Sequence, residues 1–269
     1  MYYVKTKREK VGRCNLCTKV KPLSWDHVPP KGGIELTAME MENLVYVFTR
    51  EKEVKRIRES QNGVKFRTIC KECNEFIGVQ YDTVINDFAI SVGRYLKSQF
   101  KFPEVLHHKT KPVRLIRGIL AHLVAAKVEF DDSLFDQQVR ELIFDETEEI
   151  PNKTHIFYWI YPYDCTIILR DFGMPAVRGN FKAFGFFQTL KYFPMAYLIS
   201  NKPYYENLLE LTKYRKHGID DEIEIPIQLS RVEHHYWPEM VDKGNMLFGG
   251  QAVTGSITAL PKTAKSKKS

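Results

Sequence analysis

Cys14 and Cys17, then Cys70 and Cys73, form two Cys-x-x-Cys pairs, and between them lies Trp25-Asp26-His27-Val28-Pro29-Pro30; Asn74 follows the last cysteine directly. A knuckle of this kind places two soft ligands on one tight turn, so two of them close the tetrahedral shell of a structural zinc and leave no ligand position open for water. The 52 residues between the pairs exceed what a simple zinc ribbon holds, so an inserted structural element must be spanned. Inside that insert, the near-neutral imidazole of His27 can serve as a base. The carboxylate of Asp26 and the amide oxygen of Asn74 are hard ligands of the kind magnesium or another divalent cation accepts. Base, cation and nearby positive charge are the three requirements for hydrolysing a phosphodiester.

The elements that must position these groups follow from local pattern. Pro22 to Val28 reads as a short strand with Trp25 and His27 on one face and Asp26 on the other, stopped by Pro29-Pro30 and Gly32-Gly33. Lys31 to Asn62 is a long connection, with a helical piece expected across Thr49 to Ser60, where charges alternate. Asn62-Gly63 signals a turn. Val64 to Ile69 alternates apolar and polar residues and should pair antiparallel with the Trp25 strand. From Asn74, read as a helix start, Phe76, Ile77, Val84, Phe88, Val92, Tyr95 and Leu96 recur at helical spacing.

This combination resembles the HNH endonucleases, the ββα-metal family, through Cys14-Asn15-Leu16-Cys17, Asp26-His27-Val28-Pro29-Pro30-Lys31-Gly32 and Cys70-Lys71-Glu72-Cys73-Asn74. The resemblance covers roughly the first third of the chain. It implies that His27 is the general base, that Asp26 and Asn74 hold the catalytic divalent cation, and that a middle asparagine orients His27. Two residues compete for that last role. Asn62 sits just before the second strand, where the topology wants it, although Asn-Gly is also the ordinary choice for a tight turn. Asn43, in Glu42-Asn43-Leu44, matches the common local sequence and lies 16 residues after His27. Lys31, Lys65 and Arg67 are candidate phosphate contacts, a fork from the arginine and point charges from the lysines.

The charge distribution agrees with a polyanionic partner. Up to Cys73 the chain carries 16 Lys/Arg against 9 Asp/Glu, and after it 24 of each, so the net charge of +7 belongs to the cysteine-rich end. From Lys101 to Leu260 there are 18 Lys/Arg and 21 Asp/Glu, which is no second cationic groove. Pro112 to Val128 and Asp132 to Phe144 read as amphipathic helices, the second opened by Asp131/Asp132. Thr154 to Ser200, rich in aromatic and β-branched residues, reads as several antiparallel strands broken at Pro162, Gly173, Gly179 and Pro194. A helix is expected over Tyr204 to Lys216, with further strands over Ile223 to Val232 and Met246 to Ile257. Cys165 reads as a small core residue. His107, His108, His122, His234 and His235 show no metal-like spacing with a carboxylate.

The fold expected is α+β: a zinc-stabilised ββα-metal domain over residues 1–100, a mixed helix and antiparallel-sheet domain over 101–260 serving interaction, dimerisation or sensing, and a basic tail over 261–269. No signal-peptide pattern or membrane-length apolar run occurs, so the expectation is a cytoplasmic protein with no membrane partner. Five cysteines, four in close pairs, suit metal ligation in a reducing compartment. The expected activity is metal-dependent cleavage of DNA, with RNA the open alternative, in a bacterial antiviral defence or restriction-type effector. The second domain would contact another copy of the chain or a regulatory protein. A rival reading is a zinc-stabilised nucleic-acid-binding module without catalysis; a third is a zinc scaffold for protein contacts.

Overall fold

The computed structural model describes residues 4–33, 35–49, 57–129, 132–176, 183–203, 205, 207–240, 248–249 and 255–262. Its first strands, β1 (Val11–Arg13) and β2 (Val20–His27), form an antiparallel hairpin that turns at the first knuckle. After β3 (Met39–Asn43), α1 (Leu44–Thr49) and β4 (Arg58–Ser60) comes β5 (Lys65–Cys70), which pairs antiparallel with β2 as its alternation requires. The helical piece expected across Thr49 to Ser60 is therefore a strand at Arg58–Ser60; residues 50–56 lie outside the described residues.

The helix that follows begins earlier than Asn74. Cys70 is its N-cap, and α2 (Lys71–Ile77) runs through a π-helical turn, Gly78–Asp82, into α3 (Thr83–Lys97). Ending the strand on Cys70 and starting the helix on the next residue leaves Asn74 one turn inside. β6 (Val105–Thr110) precedes α4 (Pro112–Ala125), nearly every residue of which is buried, and α5 (Leu134–Phe144). Ser133, not Asp131/Asp132, caps α5: its Oγ accepts the Asp136 N–H at 3.1 Å while the Asp136 carboxylate accepts the Ser133 N–H at 3.2 Å.

The remaining strands are β7 (His155–Ile160), β8 (Thr166–Ala176), β9 (Ala183–Tyr192), β10 (Met195–Ser200), β11 (Leu209–Glu210), β12 (Ile223–Gln228), β13 (Phe248–Gly249) and β14 (Ile257–Pro261). Among the described residues three antiparallel sheets result. One has the order β1-β2-β5, one pairs β12 with β6, and the large one runs β11-β7-β10-β9-β8-β14-β3-β4, with β13 also paired to β8. Where a helix was expected over Tyr204 to Lys216, β11 extends the edge of the large sheet and a 3-10 turn, Leu211–Tyr214, follows. There Thr212 Oγ1 accepts the Ile156 N–H at 3.1 Å, so the unpaired edge of β7 captures the segment. The expected break at Gly173 lies inside β8; the irregularity falls between Leu169 and Phe172, with Asp171 at φ 52°.

The large sheet buries both faces. Ile156, Tyr158, Ile160, Leu190, Tyr197 and Ile199 belong to one apolar cluster with α2, α3, α4 and α5. Phe157, Trp159, Tyr161, Ile167 and Leu198 form a second cluster on the opposite face, where Tyr205 and Trp237 pack against them, so the aromatic richness of this segment is core. Cys165 lies in that second cluster, 3.2 Å from Thr258 Oγ1. The first cluster extends from Val4 to Ala259, and β3 pairs with β14, so packing and strand pairing both cross residue 100. Among the described residues no helix is long and apolar enough to cross a membrane.

Candidate functional site

The two knuckles converge. The Sγ atoms of Cys14, Cys17, Cys70 and Cys73 all lie within 4.8 Å of one another, and Cys17 Sγ is 3.8 Å from Cys70 Sγ. Four sulfurs about 2.3 Å from a shared tetrahedral ion stand roughly 3.8 Å apart, so this quartet is positioned to hold a metal ion. The backbone supports it: Thr18 takes φ 60° and donates its N–H to Cys14 O at 3.0 Å, and the Cys70 N–H points at Cys14 Sγ at 3.2 Å. A hydrogen bond from Cys73, aided by the backbone N–H groups of Cys70, Cys17 and Leu16, lowers the Cys14 thiol to about 4, while burial pushes Cys70 up to about 12. A cation among the four sulfurs would favour the thiolate form of each.

Asn15, inside the first knuckle, docks this unit onto α4. It is 3% exposed, and its Nδ2 donates to Val124 O at 2.8 Å and Lys127 O at 2.6 Å, satisfying carbonyls at the end of that helix. Sequence reasoning passed over this residue.

On β2 a bulge between Ser24 and Trp25 sets the orientation of the next residues. Trp25 faces solvent with the Arg67 guanidinium over its ring at 5.4 Å, and Asp26 turns inward, 4% exposed. His27 turns back outward, and its Nε2 lies 3.1 Å from the backbone oxygen of Asn62. A carbonyl oxygen only accepts, so Nε2 carries the hydrogen and the neutral ring keeps its lone pair on Nδ1. Burial, with Lys65 and then Lys31 adding like charge, lowers the His27 pKa below 6.5 against the opposing pull of Asp26 and Asn62. Lys65 is the cross-strand partner of His27, and Lys31 stands in the short 3-10 turn Lys31–Gly33.

Of the two middle asparagines, Asn62 is the one whose main chain meets His27. Asn43 ends β3, 2% exposed, and its Oδ1 accepts the Tyr46 N–H at 3.1 Å at the start of α1. Asn74 turns its Nδ2 to Trp25 O at 2.9 Å and Ser24 Oγ at 3.3 Å, fastening α2 to the strand immediately before Asp26. Its Oδ1 is the end of the amide left for another partner. Arg67 is committed within the protein: its Nη2 and Nε donate to Arg8 O at 2.7 and 3.2 Å.

Beside Asp26 stand His122, which by sequence showed no metal-like spacing with a carboxylate, and behind it Asp82, which the sequence did not single out. His122 on α4, with no exposure, places Nδ1 3.6 Å from Asp26 Oδ2 and Nε2 2.8 Å from Asp82 Oδ1. Burial alone would lower its pKa, but Asp82 and Asp26 outweigh burial and raise it to about 10. Asp82 ends the π-helical turn, and α4 approaches that turn closely at Gly118, where an added Cβ would fall 2.6 Å from Ile85 Cδ1 and 2.9 Å from Tyr81 Cβ. The available signal was the interruption of the apolar run Leu115 to Val128 by His122.

A cleft of about 670 Å³ opens beside the Asn62-Gly63 turn. It is bounded by Pro29 and Gly63 on the His27 side and carries Arg94 and Lys97 from α3, with Glu35 and Asp164 as acidic members. Comparison with protein-family models, curated proteins and solved structures finds no match.

Proposed function

We propose that this protein is a metal-dependent nuclease of the HNH type that hydrolyses phosphodiester bonds in DNA, stapled by a structural zinc on Cys14, Cys17, Cys70 and Cys73. The observation that carries the reading is the His27 imidazole: unprotonated at neutral pH by the direction of its shift, held through Nε2 by the Asn62 carbonyl, and adjacent in sequence to Asp26. A binding module has no need of a base so arranged. His27 Nδ1 takes a proton from water as the water oxygen attacks phosphorus, and the ester oxygen departs as the phosphorus–oxygen bond breaks. Lys65 and Lys31, facing His27, attract the phosphate.

Asp26 and Asn74 would hold the catalytic cation. The donor set suits a divalent ion: Asp26 Oδ2 is buried without a hydrogen-bond partner, and Asn74 has its amide nitrogen tied back. Magnesium or a related ion held there would stabilise the charge developing on the phosphate and leaving oxygen. The large sheet and its helices act in this reading as a docking or sensing region, and a defence or restriction role is the biology proposed for the whole.

One observation favours the rival, a zinc-stabilised nucleic-acid-binding module: Asp26 is almost fully buried against His122, which restrains its access to a substrate phosphate. Incubation of the purified chain with supercoiled plasmid and magnesium, manganese or nickel decides between them. Nicking or linearisation is expected, and His27→Ala should lower its rate by about 10²–10⁴-fold while zinc content and folding stay the same. Plasmid binding without cleavage under every cation would establish the rival instead.

A further inference from the structure

Two buried polar atoms on different elements face each other without a hydrogen bond. Asp26 Oδ2 and His122 Nδ1 are both shielded from solvent, neither has a hydrogen-bond partner, and they stand 3.6 Å apart. That separation is longer than an N–H···O bond, whose mode is about 2.9–3.0 Å. It is close to the spacing of two ligand atoms roughly 2.1 Å from a shared ion, about 3.4 Å at a tetrahedral angle. Without a metal the two form a buried ion pair that lacks a hydrogen bond, which repays little of the cost of burying both groups.

The opposite side of the ring is arranged as a metal-binding histidine requires. Asp82 Oδ1 accepts from Nε2 at 2.8 Å, which fixes a hydrogen on that nitrogen and orients the imidazole with Nδ1 toward Asp26, where an incoming cation would displace the Nδ1 proton. Three features of the fold serve this placement. The π-helical turn ends on Asp82, Gly118 lets α4 come against that turn, and Asn15 anchors the far end of α4 to the zinc knuckle.

We propose that Asp26 Oδ2 and His122 Nδ1 are ligands of one divalent cation, with Asp82 as the residue that positions His122. An imidazole ligand selects manganese or a later first-row metal over magnesium, whose preference is for oxygen. The inference rests on the reading of Asp26 as a cation ligand and adds to it a ligand from α4 and a class of metal.

The test is made on the full zinc-loaded chain, with manganese as the probe and binding followed by electron paramagnetic resonance, and does not depend on cleavage. One manganese ion should bind outside the four-cysteine site, with the ¹⁴N modulation of a coordinated imidazole in its electron spin echo. Asp82→Asn should weaken it about 10- to 100-fold. The nitrogen coupling should vanish in His122→Gln and persist in His27→Ala, which excludes the neighbouring ring as its source. Zinc content and near-ultraviolet circular dichroism report whether each variant folds. If His122→Gln does not fold, the wild type and His27→Ala still decide. Absence of manganese binding by the folded wild type, binding without nitrogen coupling, or coupling lost in His27→Ala would overturn the proposal. Nitrogen-coupled manganese without plasmid cleavage would sink the nuclease reading and leave this site standing; cleavage without nitrogen coupling would do the reverse.

Discussion

Gly63 holds the carbonyl that faces His27. At φ 68° it occupies the left-handed region, and an added Cβ would lie 2.9 Å from Leu36 Cδ2 and 3.8 Å from the edge of the His27 ring. The Leu36 contact is the free end of a side chain and can rotate away, so backbone strain decides the outcome. A residue with a Cβ in that conformation costs about 1–2 kcal/mol. Gly63→Ala should therefore lower stability to chemical denaturation by about that amount and slow cleavage by displacing Asn62 O from His27; an unchanged unfolding midpoint would show that the turn relaxes without penalty. At this scale part of the candidate site is legible in the sequence. Asp26, His27 and Asn62 are near neighbours of the turns and strand ends that place them, so local pattern finds them. His122 reaches Asp26, and Asp82 reaches His122, only through the packing of α4 on the π-helical turn, a contact that no local periodicity encodes. Asn43 matched a local sequence, yet the end of β3 uses its side chain to cap α1.

The four-cysteine unit and α5 show how single side chains fasten whole elements. With the four sulfurs gathered around one point, Cys70→Ser should abolish zinc binding and loosen the β1–β2 hairpin and the start of α2. Hydrogen exchange would show lost protection across Val11–His27 with β7 and β10 unaffected, and equal protection in both forms would argue against a stapling role. Asp136 fastens α5 differently: its side chain, 1% exposed, accepts from Arg170 at 2.6 Å and from Lys127 at 2.5 Å. Burial would raise its pKa, but Arg170 and Lys127 prevail and hold it below the ordinary 3.8. A depressed carboxylate gives its full stability above the unfolded value and loses it as pH falls toward the folded one. Asp136→Asn should cost about 3 kcal/mol at pH 7 by leaving the buried Arg170 only the more distant Asp171 carboxylate at 3.7 Å. The wild-type advantage should shrink as pH drops below about 4, measured as unfolding free energy against pH; a gap independent of pH would mean that packing, not charge, holds the helix. Elements with strong internal pattern, β2, β5, α3 and α4, are legible in the chain. The segment after Tyr204 is not, because pairing with the edge of β7 overrides its helical spacing.

Across the whole molecule, charge and packing divide the chain differently. Positive excess ends at Cys73, which invites a boundary near residue 100, whereas one apolar cluster takes members from Val4 to Ala259. Ile85, Phe88, Ala89 and Val92 of α3 are no more than 1% exposed, and β3 has β14 as a strand partner. Burying Ile85, Phe88 and Val92 stabilises by roughly 1.5–3 kcal/mol each, so the three together rival the net stability that a small metal-stapled unit commands. A fragment of residues 1–100 would keep all four cysteines but present that helix face, and the edge of β3, to water. It would also lack His122, leaving Asp26 without its neighbour on α4. The expected result is a fragment that binds zinc yet unfolds without a cooperative thermal transition and self-associates through the uncovered surface, as seen by calorimetry and size-exclusion chromatography. A monomeric fragment with a sharp transition and full cleavage activity would show instead that the knuckles and α3 fold alone, and that the large sheet is an appendage to the site and not part of the frame that aims it.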